Sequence, residues 1–234
     1  MPDTIMIFAA GRGTRLGRLT QDRPKPLVPV LDRTMLDRAL DIADRAGVSQ
    51  KIVNTHYLGS LIEAHLRARR DVRIVPESPN ALETGGGLKN ANRYLGDGPV
   101  FTLNPDVLWS GPNPLEVLRA AWRPAQMGAL LLLIPLARAT AHKGRGDFSY
   151  GDAGRLMRFD GTRGAARINT GAQIIWPTLA QDIEENIFSL NIIWDELIKE
   201  GRLFGVEYPG TWVDTGTPEG IKAAETLLTD TTHV

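Results

Sequence analysis

Five short apolar runs, each followed by a turn or a helical pattern, constrain this chain most. They are Thr4–Ala10, Lys51–Thr55 (KIVNT), Val72–Val75, Val100–Asn104 (VFTLN) and Ala129–Leu136. Between them Met35, Leu36, Ala39, Leu40, Ile42 and Ala43 recur at helical spacing and stop at Gly47. Leu58, Leu61, Ile62 and Leu66 share one helical face, and Leu88–Leu95 and Leu115–Trp122 give two more helices. Strands too apolar to face water on one side, alternating with amphipathic helices, call for an α/β fold. The expected sheet is Rossmann-like, mixed but mainly parallel, with helices on both faces. In such sheets ligands gather at the carboxyl ends of the strands, which puts Gly11, Glu77, Asn104 and Asp106 on one cleft.

The second half is less regular. Asp147–Tyr150, Leu156–Phe159 and Ala172–Ile175 have strand character between Gly-rich turns. A helix over Asn191–Glu200 follows, then strands at Leu203–Tyr208 and Thr211–Asp214. Thr217-Pro218 has the chemistry of a helix start. With no linker, repeat or low-complexity segment, the expectation is one domain over 1–234. Residues 1–136 form one half, 137–216 a small acceptor-side lobe, and 217–234 a last helix and tail.

Composition excludes several chemistries. The chain has no cysteine, so disulfides, thiolate zinc sites and cysteine nucleophiles are ruled out, and its four histidines (His56, His65, His142, His233) lack HExxH spacing. No basic leader precedes the first strand, and the longest apolar run, Ala129–Ile134, is too short to span a bilayer. A cytoplasmic protein without a membrane partner is expected. Lys and Arg number 27 and so do Asp and Glu, which speaks against a nucleic-acid surface. Yet Arg12, Arg15, Arg18, Arg23 and Lys25 crowd one segment with only Asp22 among them. A cationic loop on a neutral chain suits one concentrated anion.

That segment begins with Gly11 and Gly13. It is not a P-loop, since GxxxxGK(S/T) is absent. It is not a dinucleotide fingerprint either, since Leu16 stands where the third glycine belongs. Its full string, Gly11-Arg12-Gly13-Thr14-Arg15-Leu16 followed by Pro24-Lys25-Pro26-Leu27-Val28-Pro29-Val30, resembles the signature of the sugar-1-phosphate nucleotidyltransferases. The resemblance runs from Ala9 to Thr217, and it implies the nucleotide-diphospho-sugar transferase fold. It also implies that Ala10, Gly11, Gly13 and Thr14 wrap an NTP triphosphate, that Arg15 helps bind it, and that Lys25 touches phosphate at the reacting centre. Independently, Pro24 and Pro26 stiffen the backbone on both sides of Lys25. Attack by a phosphate oxygen needs positioning and charge neutralisation rather than a base, so the lack of a catalytic triad is no objection.

The same resemblance implies Mg²⁺ on two aspartates: Asp106 in Asn104-Pro105-Asp106, and Asp214 in Trp212-Val213-Asp214-Thr215-Gly216-Thr217. Mg²⁺ characteristically takes one or two carboxylates plus water and phosphate oxygens. The chain departs from the family pattern at Pro105, where glycine is usual. Glu83-Thr84-Gly85-Gly86-Gly87 opens a helix whose glycines allow close backbone approach, and the resemblance puts the nucleoside at Gly85 and Gly86, with Glu77 and Asn104 completing that half.

On the acceptor side, Gly144-Arg145-Gly146-Asp147-Phe148 resembles a segment of N-acetylmuramate-1-phosphate uridylyltransferases, and Asn169-Thr170-Gly171 falls where related enzymes contact the sugar. Glu83, Asp147, Asn169 and Thr170 are thus the expected acceptor contacts. The E-K-P lysine of other branches is missing, leaving Arg158, Arg163 or Arg167 to meet the sugar phosphate. The implied partners are an NTP, UTP first, and a sugar 1-phosphate, with the protein a monomer or homodimer. Alternatives are mannose-1-phosphate guanylyl transfer, glucose-1-phosphate thymidylyl or uridylyl transfer, and a silent nucleotide-sugar sensor. A glycosyltransferase would need a DxD metal motif, which the chain lacks.

Overall fold

In the computed structural model residues 1–231 are described; residues 232–234, the end of the expected tail with His233, lie outside them. The first half runs β1 (Thr4–Phe8), the hairpin β2 (Pro29–Val30) and β3 (Arg33–Thr34), α1 (Met35–Arg45), β4 (Gln50–Thr55), α2 (Gly59–His65), β5 (Val72–Pro76), α3 (Glu83–Leu95) and β6 (Val100–Leu103). Then come β7 (Val107–Ser110), α4 (Pro114–Ala121), β8 (Ala129–Pro135), β9 (Ala139–Thr140), β10 (Phe148–Tyr150), β11 (Leu156–Arg158), β12 (Arg167–Ile175), α5 (Asn191–Lys199), β13 (Leu203–Glu207), β14 (Thr211–Asp214) and α6 (Pro218–Thr231).

Nine strands build the main sheet, in the order β11-β10-β12-β6-β1-β4-β5, with β8 beside β12 and β13 beside β8. The β6-β1-β4-β5 run is parallel throughout, while β12 enters antiparallel between β6 and β8. The mixed, largely parallel sheet and its helices match the expected fold. Alternation along each strand explains its apolar runs. Ile5 and Ile7 of β1 and Leu130, Leu132 and Ile134 of β8 pack with Leu36, Leu40, Leu115 and Leu118 of α1 and α4. Met6 and the intervening Leu131 and Leu133 pack on the other face with Leu88 of α3 and Trp194 of α5. Both faces are covered, so no polar alternation survives.

Two features bear on the site. First, β12 starts at Arg167, well before the expected Ala172, and its pairing with β8 slips between Asn169 and Gln173. The bulge forms around Gly171, at φ 84°, where a Cβ would stand 2.8 Å from that of Asn104. Second, a small sheet in the order β7-β14-β9 sets Asp214 opposite Val107. That brings a residue from the far end of the chain beside Asp106. Strand β7 has no counterpart among the expected strands. Among the described residues no helix is long and apolar enough to cross a membrane.

Candidate active site

The glycine loop is anchored at its root by a buried polar chain. The Ala9 N–H donates to Asn54 Oδ1 (2.7 Å), Asn54 Nδ2 donates to Glu77 Oε1 (2.6 Å), and Glu77 Oε2 accepts from the Leu82 N–H (2.7 Å). Loss of water raises the Glu77 carboxyl above its usual range, against the pull of the Leu82 and Asn54 donors. Glu77, expected to touch nucleotide, instead lies behind Asn54 and holds it; it does not line the cavity.

Beyond Ala10 and Gly11 the loop turns at Gly13, φ 66°, where a Cβ would meet the Lys25 stem at 2.6 Å. Glycine here lets the lysine cross against the loop. Residues Thr14–Thr20 form tight 3₁₀ turns kinked at Gly17. The Thr20 hydroxyl lies 3.2 Å from the Gly13 and Gly17 carbonyls. Tyr57 braces the loop's end, its O–H 3.1 Å from the Thr20 carbonyl and 3.2 Å from that of Gln21. Its ring lies 5.1 Å from the Arg12 guanidinium. Asn54, His56 and Tyr57 were not singled out in the sequence; their only signal was their place at the carboxyl end of β4.

Lys25 opens a short turn between its two prolines, and its ammonium donates to Asp106 Oδ2. The Asp106 carbonyl accepts from the Thr215 N–H (3.0 Å), which ties the residue to the loop after β14. Asp214 Oδ1 accepts from the Gly216 N–H (2.8 Å). Its Oδ2 lies 3.9 Å from Arg15 and 3.7 Å from His142 Nδ1. The Arg15 side chain is 61% exposed, so its pairing with Asp214 is weak and leaves it open to a ligand. Pro105 borders the cavity without turning Asp106 away from Lys25.

Two adjacent carboxylates, with Lys25, Arg15 and His142 around them, are a donor set for a hard divalent ion. Among the described residues no group of three or more His, Cys, Asp or Glu is built for a metal. An ion here would complete its shell with water and substrate phosphates.

Between the loop and the start of α3 lies a cavity of about 330 Å³, walled by Ala10, Gly11, Lys25, Glu83, Thr84 and Asn104 among others. It falls within the roughly 300–1,000 Å³ of small-molecule sites. Gly13 and Thr14 continue the loop outside that lining. Gly85 and Gly86 correct an expectation. Their N–H groups donate to the Phe188 carbonyl at 2.9 and 3.0 Å. Added Cβ atoms would strike the Phe188 ring at 2.4 Å and the Asn186 carbonyl at 2.2 Å. The glycines admit the chain's own 186–188 segment, not a nucleoside. Glu83, at φ 61°, and Thr84 remain on the cavity.

A side pocket of about 40 Å³ adjoins the cavity, the two having Phe8, Thr84 and Asn104 in common. Asn169 lines it, and the Asn169 N–H is held by Asp147 Oδ2 (2.8 Å). Thr170 corrects a second expectation: it is fully buried, its hydroxyl donates to the Leu132 carbonyl (2.6 Å), and its carbonyl accepts from Trp212 Nε1 (3.1 Å). It locks the bulge and has nothing left for a sugar. Arg158 is paired with Asp195, and Arg167 with Glu207; Arg163 sits in the exposed 160–165 segment.

The family described as the MobA-like NTP transferase domain matches residues 5–168. The chain belongs to this family. Within this MobA-like domain the matched segment carries the glycine loop, Lys25 and Asp106, whereas Asp214 arrives from outside it on β14. The N-acetylmuramate alpha-1-phosphate uridylyltransferase of Caulobacter vibrioides is 38% identical over 98% of both chains. Its namesake in Neisseria meningitidis serogroup B is 30% identical over 95% of this chain and 96% of its own. The crystal structure of HddC from Yersinia pseudotuberculosis complexed with GMP-PN superposes with a TM-score of 0.77 over 96% of this chain and 99% of that one, at 22% identity. The expected enzyme class, sugar-1-phosphate nucleotidyltransferase, is borne out. Enzymes of this type typically use a divalent metal.

Proposed function

We propose that the protein transfers the uridylyl group of UTP to N-acetylmuramate 1-phosphate, releasing pyrophosphate. On this reading it acts in the cytoplasm, returning a cell-wall sugar to the nucleotide-sugar pool during peptidoglycan recycling. The observation that carries the reaction is the Lys25–Asp106 contact at the mouth of the glycine-loop cavity, with Asp214 alongside. The choice of base and sugar leans on the 38% identical relative.

An acceptor phosphate oxygen forms the new bond to the α-phosphorus as the bond to pyrophosphate breaks, and pyrophosphate leaves with the electron pair. The nucleophile is already anionic, so no side chain need take a proton. The loop from Ala10 to Thr14 orients the triphosphate, and Arg15 and Lys25 offset its charge. Asp106 and Asp214 would hold Mg²⁺, which supplies further charge neutralisation when bound. Residues 1–136 hold nucleotide and 137–216 hold acceptor within one domain, with Asp147 acting through Asn169.

A panel of UTP, GTP and dTTP against N-acetylmuramate, mannose and glucose 1-phosphates, read by pyrophosphate release, tests this. UTP with N-acetylmuramate 1-phosphate should be fastest. Faster release with GTP and mannose 1-phosphate would replace the substrate assignment, and nucleotide binding without release anywhere would make the protein a sensor.

A further inference from the structure

The side pocket beyond Asn104 has a polar floor. Trp194 Nε1 donates to Gln173 Oε1 (3.0 Å), and Gln173 Nε2 donates to Thr102 Oγ1 (3.0 Å). Gln173 and Thr102 face each other across the β12–β6 pairing. They are 3% and 1% exposed, and Trp194 is 8% exposed. A buried polar chain of this kind is costly unless completed. Here the bookkeeping leaves two donors. Thr102 Oγ1 accepts from Gln173, so its own O–H is free to donate. The Gln173 amide has a second N–H. Neither has a protein acceptor among the described residues. Phe8, Leu190 and the Trp194 ring give the pocket one apolar side, with Thr84, Asn104 and Asn169 polar beside them.

Two free donors in a slot with one apolar side suit a carbonyl oxygen carried on a small apolar group. Size agrees. About 10–15 Å³ of such space holds one water, so 40 Å³ takes roughly three heavy atoms and excludes a sugar ring. The slot opens at Phe8, Thr84 and Asn104, which also wall the nucleotide cavity. A group hanging from an acceptor sugar poised for attack reaches it there.

We propose that this slot is a specificity pocket for the acetamido group of the acceptor sugar, with Thr102 and Gln173 meeting its carbonyl and Trp194 limiting its length. The inference rests on the acceptor reading above and assigns Thr102, Gln173 and Trp194 as its specificity-determining residues.

The test compares three acceptors with UTP: N-acetylmuramate 1-phosphate, its N-butanoyl analogue, and the analogue with hydroxyl in place of acetamido. Wild type should prefer the acetyl compound in kcat/KM by tenfold or more over both, about the lower end of what one pocket contact contributes. Gln173→Met should cut the acetyl-over-hydroxyl preference about tenfold. Trp194→Phe should cut the acetyl-over-butanoyl preference by a similar factor. Thermal melting checks that each variant is folded, and if one is not, the other carries the test. Folded variants that keep both ratios overturn the proposal. So does an equal loss on all three acceptors, which marks a purely structural role. If wild type does not turn over N-acetylmuramate 1-phosphate at all, the function reading itself has failed, a result distinct from unmoved ratios.

Discussion

The Lys25 ammonium is aimed by three neighbours: prolines on either side restrain its backbone, and Gly13 leaves room for its stem. Its contact with Asp106 joins the loop's cation to the carboxylate at the end of β6. Lys25→Ala should lower kcat by about 10²–10³, the usual cost of removing one preorganised charge. Melting should establish that the variant is folded, and pyrophosphate release reads the rate; unchanged turnover would remove Lys25 from the mechanism. Tyr57 acts one step further out, through the loop it braces. Tyr57→Phe keeps the ring under Arg12 but loses the O–H contacts to Thr20 and Gln21. A hydrogen bond of roughly 0.5–1.5 kcal/mol predicts about a two- to tenfold rise in KM for the nucleotide, with kcat less affected.

At the scale of elements, the α3 start shows where residue identity stops short of function. Three glycines announce that some backbone comes close; they do not say whose. Here it is the 186–188 segment, which β-sheet topology lays across the helix, so Gly86→Ala should destabilise. Alanine gains about 1 kcal/mol in helix propensity. Its Cβ, however, meets the Asn186 carbonyl at 2.2 Å, a backbone clash in a range of about 1–3 kcal/mol. A net fall in melting temperature is expected, and no fall would mean the segment yields freely. Thr170 departs from its expected role for the same reason, since its neighbours Leu132 and Trp212 are distant in sequence. What was legible were the strands buried on both faces and the helices with regular apolar spacing. The caps of α1 and α4, Thr34 accepting from the Asp37 N–H and Asn113 from that of Leu115, are local bonds that the structure adds. The bulge at Gly171 broke the period of β12 and hid its residues before Ala172 from sequence. Glu77 joins β1, β4 and β5 through Asn54, both its oxygens accepting. Glu77→Gln turns one acceptor into a donor facing another donor, at a cost of about 1–3 kcal/mol. Because burial raises the carboxyl's folded pKa, the protonated form is favoured in the folded state. That contribution is full at acid pH below the unfolded value and is lost as pH rises through the folded one. The gap in melting temperature between wild type and Glu77→Gln should therefore narrow as pH rises from below the ordinary glutamate value of about 4.3.

Across the whole molecule, the site is assembled by topology rather than by proximity in sequence. The glycine loop and Lys25 come from the first strand crossing, Asp106 from the end of β6, and Asp214 from β14, which closes the small sheet against β7. The slip in β12 sets Asn169 on the side pocket, which Trp194 of α5 also lines. Asp214 thus stands beside Asp106 of the family-matched segment, although it lies beyond residue 168. If the two aspartates share one ion, each should be needed for metal-dependent nucleotide binding. Thermal melting with a nucleotide analogue separates this from a loss of fold. Saturating UTP analogue at about 100 times its Kd should stabilise wild type by roughly 2.7 kcal/mol, and adding Mg²⁺ should increase the stabilisation at lower analogue concentrations. In Asp106→Asn and Asp214→Asn the Mg²⁺ increment should vanish in both. Its loss in Asp106→Asn alone would leave Asp214 as a partner of Arg15 and His142 and remove it from the metal site. An increment intact in both would mean that the carboxylates serve Lys25 and Arg15 and that the ion binds through the nucleotide's phosphates.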